Sequence, residues 1–309
     1  MSDPQPPPPS PSKAEVFVRR LVSSVILWTV VLTALFCGHR GISDSVFLVV
    51  MLTLAGLGLL EFYSLVEKRD LVCFKEWGIF GGLLLMASSF VYMSGLVGAR
   101  DAPAKANDFE TSFLILFVLG LCLRQFVSKS NTSGILAIST TIFGLMYVPW
   151  LLNFIQKINY FPFPSGAARD AGTYYVLYFI LVTKFSDIGA YCTGSLIGRH
   201  KMIPRISPGK TWEGFGGAVV VSTAASVVYA HVFHDKLAGM DWQHASLLGG
   251  VLSIGAVIGD LIESLFKREA GVKDSGSYFP GIGGILDLLD SLLFNAPLMY
   301  LYLRHVLVR

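Results

Sequence analysis

Charge is what this chain has least of. Of its 309 residues, 15% are Asp, Glu, Lys or Arg and 53% are hydrophobic, and the mean hydropathy is +0.60. Soluble domains carry roughly 25% charge, so the deficit excludes a water-soluble globular fold and points to an integral membrane protein. A net charge of +3, without any basic stripe interleaved with aromatics, excludes nucleic acid as a partner. Cysteine is scarce too. Cys37, Cys73, Cys122 and Cys192 stand far apart in or beside apolar runs, with no C-x-x-C and no Cys/His spacing. That pattern argues against a thiolate metal site or a disulfide framework and for small buried hydrophobes.

What is present is apolar sequence in long runs. Residues 1–12, MSDPQPPPPSPS, form a proline-rich tail that has nothing to bury and reads as disordered or polyproline II. Apolar segments then follow at residues 21–37, 45–66, 77–97, 111–127, 134–155, 173–197, 214–233, 245–266 and 286–306. Each is close to the length that crosses a hydrocarbon core, where only a helix satisfies its own backbone. The expected fold is all-α: a polytopic membrane protein of about nine transmembrane helices, with no soluble domain. The first run lacks a small-x-small cleavage site after it and reads as a retained helix rather than a signal peptide.

Lysine and arginine positions set the expected orientation. With the N-terminus in the cytoplasm, that side collects Lys13, Arg19, Arg20, Lys68, Arg69, Lys75, Arg124, Lys129, Arg199, Lys201, Arg205, Lys210, Lys267, Arg268 and Lys273. The far side keeps fewer, among them Arg40, Arg100, Lys157, Arg169 and Lys236. Loops 198–213 and 267–285 then face the cytoplasm, where nucleotides are. The chain divides into N-terminal helices over 13–170 and a C-terminal catalytic region over 171–309.

Charges inside apolar spans are costly and mark paired or functional positions. Lys184, Asp187 and Tyr191 recur at i, i+3 and i+7 on one helical face; a pair that merely neutralises itself is the plainer alternative. The loop SPGKTWEG brings Lys210 onto a glycine turn suited to polyphosphate, although the P-loop spacing is absent. Asp260, Ser264 and Lys267 recur at i, i+4 and i+7, and Asp287 and Asp290 at i, i+3 on the last span. Three carboxylates without histidine or thiolate suit a hard cation such as Mg2+ shared with phosphates. Aspartates favoured by a helix N-terminus are the alternative for Asp287 and Asp290. Between the acidic stripes, PGIGG (residues 280–284) offers a side-chain-poor approach to the backbone.

The segment carried by Ser264, Lys267, Arg268, Lys273, Asp274, Gly276, Pro280, Gly281, Gly283, Gly284, Asp287, Asp290 and Ser291 resembles the signature of phosphatidate cytidylyltransferases, the CDP-diacylglycerol synthases. A second block, Asp187, Gly189, Ala190, Tyr191, Gly194 and Gly198 followed by SPGKTWEG, is similar to the upstream motif of that family. Members commonly carry histidine and arginine where this chain has Ile282 and Leu288. The resemblance implies that CTP and phosphatidate give CDP-diacylglycerol and pyrophosphate, in a bacterial-type cytoplasmic membrane with the active site facing the cytoplasm. For that chemistry Mg2+, alone or with a second cation, is expected to be held by Asp260, Asp287 and Asp290, which together with Lys267 form the expected catalytic set. Asp187, Tyr191, Lys210, Ser264, Arg268, Lys273, Asp274, Gly283 and Gly284 are the expected substrate-binding residues, with membrane lipid around them and a homodimer as the expected assembly. Two other readings stand beside this one: a catalytically silent relative with a binding or regulatory role, and a small-molecule transporter using Lys184 and Asp187.

Overall fold

A computed structural model describes residues 13–37, 40–95, 103–128, 133–164, 166–168, 170–276, 278 and 283–308. The expected proline-rich tail and Pro280, Gly281 and Ile282 lie outside the described residues. In chain order the helices are α1 (Lys13–Phe36), α2 (Arg40–Glu67), α3 (Lys75–Met93), α4 (Pro103–Val127), α5 (Gly134–Leu145), α6 (Leu151–Asn159), α7 (Ala171–Ile197), α8 (Trp212–Val232), α9 (Trp242–Glu269) and α10 (Ile285–Tyr302). A π turn at Met146–Trp150 joins α5 to α6, so the pair runs as one rod, Gly134–Asn159. Pro149 sits in that turn; it has no amide to donate, and the wider turn absorbs the missing bond.

Among the described residues, eight helices are long and apolar enough to cross a membrane, and Val22–Phe36 of α1 is a shorter apolar helix. The nine expected apolar segments therefore resolve as eight full-length spans and this shorter one. A departure from helix is a small antiparallel hairpin between α7 and α8, with β1 (Lys201–Ile203) paired to β2 (Ser207–Thr211).

α7 to α10 form the inner bundle. Lipid gives helices no hydrophobic reason to associate, so small residues and interhelical hydrogen bonds hold them. A Cβ at Gly259 would lie 2.7 Å from the Asp290 carbonyl oxygen, so only glycine lets α9 approach α10 this closely at that level. Asn295 Nδ2 donates to Thr183 Oγ1 and to the Leu252 carbonyl, both at 2.8 Å, linking α10 to α7 and α9. Ser222 Oγ of α8 donates to the Val182 carbonyl of α7 at 3.0 Å. Around this centre, α2 and α6 pack against α10, and their Leu59, Leu152 and Ile155 join Leu289, Leu292 and Leu293 in one continuous apolar core.

Candidate active site

The two loops singled out in the sequence meet at one end of the inner bundle. Arg268 Nε, at the end of α9, donates to the Ile206 carbonyl in the hairpin at 3.2 Å. Thr211 caps α8, its Oγ1 accepting from Gly214 N at 3.1 Å. Glu213 accepts from the Arg199 and His200 amides at 3.1 and 3.2 Å, which fixes the chain as it leaves α7. The hairpin so anchored presents Lys210 toward α9.

Beneath it lies a cavity of about 540 Å³ walled by α7, β2, α8, α9 and the first turns of α10. Lys184, Asp187, Tyr191, Lys210, Asp260, Asp287 and Asp290 all line it. Lys184 Nζ is 3.3 Å from Asp187 Oδ2 and donates to the Leu288 carbonyl at 3.4 Å. Lys210 Nζ is 2.7 Å from Asp260 Oδ2. Tyr191 stands 76% exposed at the mouth. Ser264 Oγ donates to Asp260 Oδ1 at 3.3 Å.

The acidic residues divide into two groups. One oxygen each from Asp260, Glu263 and Asp290 lies within 4.8 Å of the others, a spacing that a single cation can span. Glu263 was not among the residues expected from sequence. It is 1% exposed, and its Oε1 has no hydrogen-bond partner among the described residues. An orphaned buried carboxylate oxygen beside two further carboxylates, with no nitrogen or sulfur ligand, fits a hard oxygen-seeking cation.

Asp287 belongs to the second group. Its Oδ2 accepts from Gly284 N at 2.7 Å and Ser275 N at 3.0 Å and lies 2.9 Å from Ser275 Oγ, while Oδ1 is 2.5 Å from Lys267 Nζ. Its oxygens are thus committed to the start of α10 and to Lys267, as the preference of carboxylates for helix N-termini leads one to expect. Lys267 also contacts Glu263 Oε2 at 2.5 Å, so it sits between two buried acids and joins the two groups.

The remaining expected residues are dispersed. Lys273 and Asp274 are exposed and do not line the cavity. The Gly284 amide is donated to Asp287, and Gly283 directly precedes it. Leu288, one of the two family departures, lines a separate apolar cavity of about 260 Å³ enclosed by α1, α2, α6, α7 and α10. Lys184 lies on the wall of both cavities.

Sequence reasoning also missed Glu61 on α2. This carboxylate is 4% exposed and reaches across to the start of α10, a contact between residues more than 200 positions apart. The rule that charge within a span marks a paired or functional position applies to Glu61 and Glu263 alike. Both were within reach of it.

A model of the cytidylyltransferase family matches residues 18–306. A phosphatidate cytidylyltransferase of Staphylococcus haemolyticus is 33% identical over 243 residues, covering 73% of this chain and 92% of the relative. A phosphatidate cytidylyltransferase of Mycobacterium bovis is 31% identical, covering 72% of this chain and 70% of the relative. The uncharacterized protein YnbB of Escherichia coli is 36% identical over 53% of this chain and 51% of its own length.

Proposed function

The chain belongs to the cytidylyltransferase family, and we propose that its reaction is the one its relatives are named for: CTP and phosphatidate give CDP-diacylglycerol and pyrophosphate. The observation that supports this most is the cavity itself, where lysines and carboxylates converge inside a membrane bundle next to an apolar chamber. A lipid phosphate reacting with a nucleotide needs such a junction.

A phosphate monoester has its second pKa near about 6, so phosphatidate is already largely dianionic at neutral pH. One of its oxygens attacks the α-phosphorus of CTP, a new P–O bond forms, and the bond to the bridging oxygen breaks to release pyrophosphate. No strong general base is needed. The protein's task is in-line placement and neutralisation of charge. Among the described residues, Lys210 and Lys184 are the cations lining the cavity, and in this reading they hold the triphosphate and the lipid phosphate. Lys184 also borders the apolar chamber, so a phosphate bound to it leaves the acyl chains beside Leu288, Leu289 and Leu292.

Mg2+ fits the group of Asp260, Glu263 and Asp290, and when bound it supplies positive charge to the phosphate oxygens. Asp287, expected as a third ligand, is better described as holding the start of α10 and Lys267 in place. The cytoplasm is the side we assign to this end of the bundle, since the α7–β1 connection, the hairpin, the end of α9 and the residues just after it hold Arg199, Lys201, Arg205, Arg268 and Lys273.

The direct test is an assay of purified protein in detergent with CTP, phosphatidate and Mg2+, with the lipid product resolved by thin-layer chromatography. Radiolabel from CTP should enter lipid. Asp290→Asn should lower that transfer at least a hundredfold while the protein still accumulates and folds; turnover near the unmodified level would sink the metal assignment.

A further inference from the structure

Glu61 sits outside both sequence motifs, on α2, yet it is bonded to the machinery. An ionised carboxylate buried in a bundle is strongly disfavoured unless donors surround it. Glu61 has three: Ile285 N to Oε1 at 2.8 Å, Leu286 N to Oε2 at 2.8 Å, and Ser275 Oγ to Oε2 at 2.9 Å. The two amides are unpaired groups of the first turn of α10, where the helix dipole favours negative charge.

Two glycines make room for it. A Cβ on Gly276 would collide with Glu61 Oε1, and one on Gly284 with both Glu61 oxygens and Ser275 Oγ. Gly284, the last residue of the glycine-rich turn that on sequence grounds suggested close approach of phosphate to backbone, is thus closely packed against a carboxylate from α2, and so is Gly276 before that turn.

The same bonds lead to the reacting centre. Ser275 lies within hydrogen-bond distance of Glu61 and Asp287 together, and Asp287 holds Lys267, which contacts Glu263. Asp290 is one turn beyond Leu286 on the same helix. We propose that Glu61 is a positioning residue for the transfer reaction: from α2 it fixes the α9–α10 loop and the first turn of α10, and thereby sets where Asp290, Asp287 and Lys267 stand. This rests on the cytidylyltransferase reading and extends the site's supports to the N-terminal helices.

The test substitutes Glu61→Gln, Ser275→Ala and both together, in the full-length protein in detergent. Glutamine has the same shape but only one acceptor oxygen, so its NH2 group would face a backbone N–H. The readouts are kcat, KM for CTP and the thermal unfolding midpoint. Glu61→Gln is expected to lower kcat at least tenfold with KM for CTP within twofold and a cooperative unfolding transition retained. The double variant should be no worse than Glu61→Gln alone within twofold, because the serine acts through the link already cut.

Unchanged kcat in Glu61→Gln overturns the proposal, as does a loss that appears only as a lower midpoint. If Glu61→Gln does not fold, Ser275→Ala decides: a kcat at least threefold lower with an unchanged midpoint supports the proposal, and an unchanged kcat overturns it. An unmodified protein that transfers nothing from CTP overturns the enzyme reading, and this proposal with it; transfer with indifferent variants overturns the proposal alone.

Discussion

Lys267 separates Glu263 and Asp287, which are 1% and 8% exposed, and its ammonium is 2.5 Å from an oxygen of each. Replacing it with methionine, Lys267→Met, keeps the volume and strands two acids in the bundle. Breaking a buried pair by removing one partner costs about 3–5 kcal/mol. We expect Lys267→Met to be destabilised by that order, measured by thermal unfolding in detergent, as well as inactive. Loss of activity with an unchanged unfolding midpoint would mean the lysine serves only substrate. Sequence periodicity put Asp260, Ser264 and Lys267 on one stripe, and Asp260 and Lys267 do converge on one acidic region. It did not reveal that the partner of Lys267 within α9 is Glu263, four residues earlier, in the favourable Glu-before-Lys order. Nor did it show that the cation at Asp260 comes from the hairpin, because a contact between residues 50 positions apart leaves no local periodicity.

At the scale of elements, α4 shows how a helix with little to bury is held. Only 11% of its spanning stretch is buried, the lowest share among the eight candidate spans. Part of its attachment is polar. Lys157 Nζ of α6 is 2.6 Å from Glu110 Oε2 and 3.2 Å from Asn107 Oδ1, while Asn153 Nδ2 donates to Glu110 Oε1 at 2.8 Å and to Ser89 Oγ of α3 at 3.2 Å. Lys157→Met should therefore cost about 3–5 kcal/mol by leaving Glu110 buried and unpaired, and adding Glu110→Leu should recover most of it, since apolar replacements of whole buried pairs are often tolerated. Unfolding midpoints of the single and double variants check this; equal loss in both would count against the network as the anchor. The apolar helices were readable from hydropathy, because each must bond its own backbone in lipid, although the first proved shorter than a full span. The β1–β2 hairpin was not, since PRISPGKT carries turn residues without the alternation that identifies strands.

For the whole molecule, orientation follows from where basic residues gather. The hairpin and the α6–α7 connection lie at opposite ends of α7. In a variant lacking the four natural cysteines, Arg205→Cys should be protected from a membrane-impermeant maleimide in intact cells, whereas Gly166→Cys should react. The reverse pattern would invert the assigned topology. The charged segments around the cavity stood out in the sequence because charge in an oily chain is conspicuous. The contribution of the N-terminal helices did not, because it is made by single residues, such as Glu61, whose purpose depends on distant partners. That distance also has a consequence in time. The amides that satisfy Glu61 belong to residues 224 and 225 positions later. At about 5–20 residues per second, the ribosome delivers them roughly 10 to 45 seconds after Glu61 is made. During that interval a carboxyl group on one of the most apolar helices of the chain is in or near the membrane without its partners, so it must stay wet or shielded by the insertion machinery. Synthesis of α10 ends that wait, and a chain stopped before Ser275 would carry an uncapped acid for quality control to find.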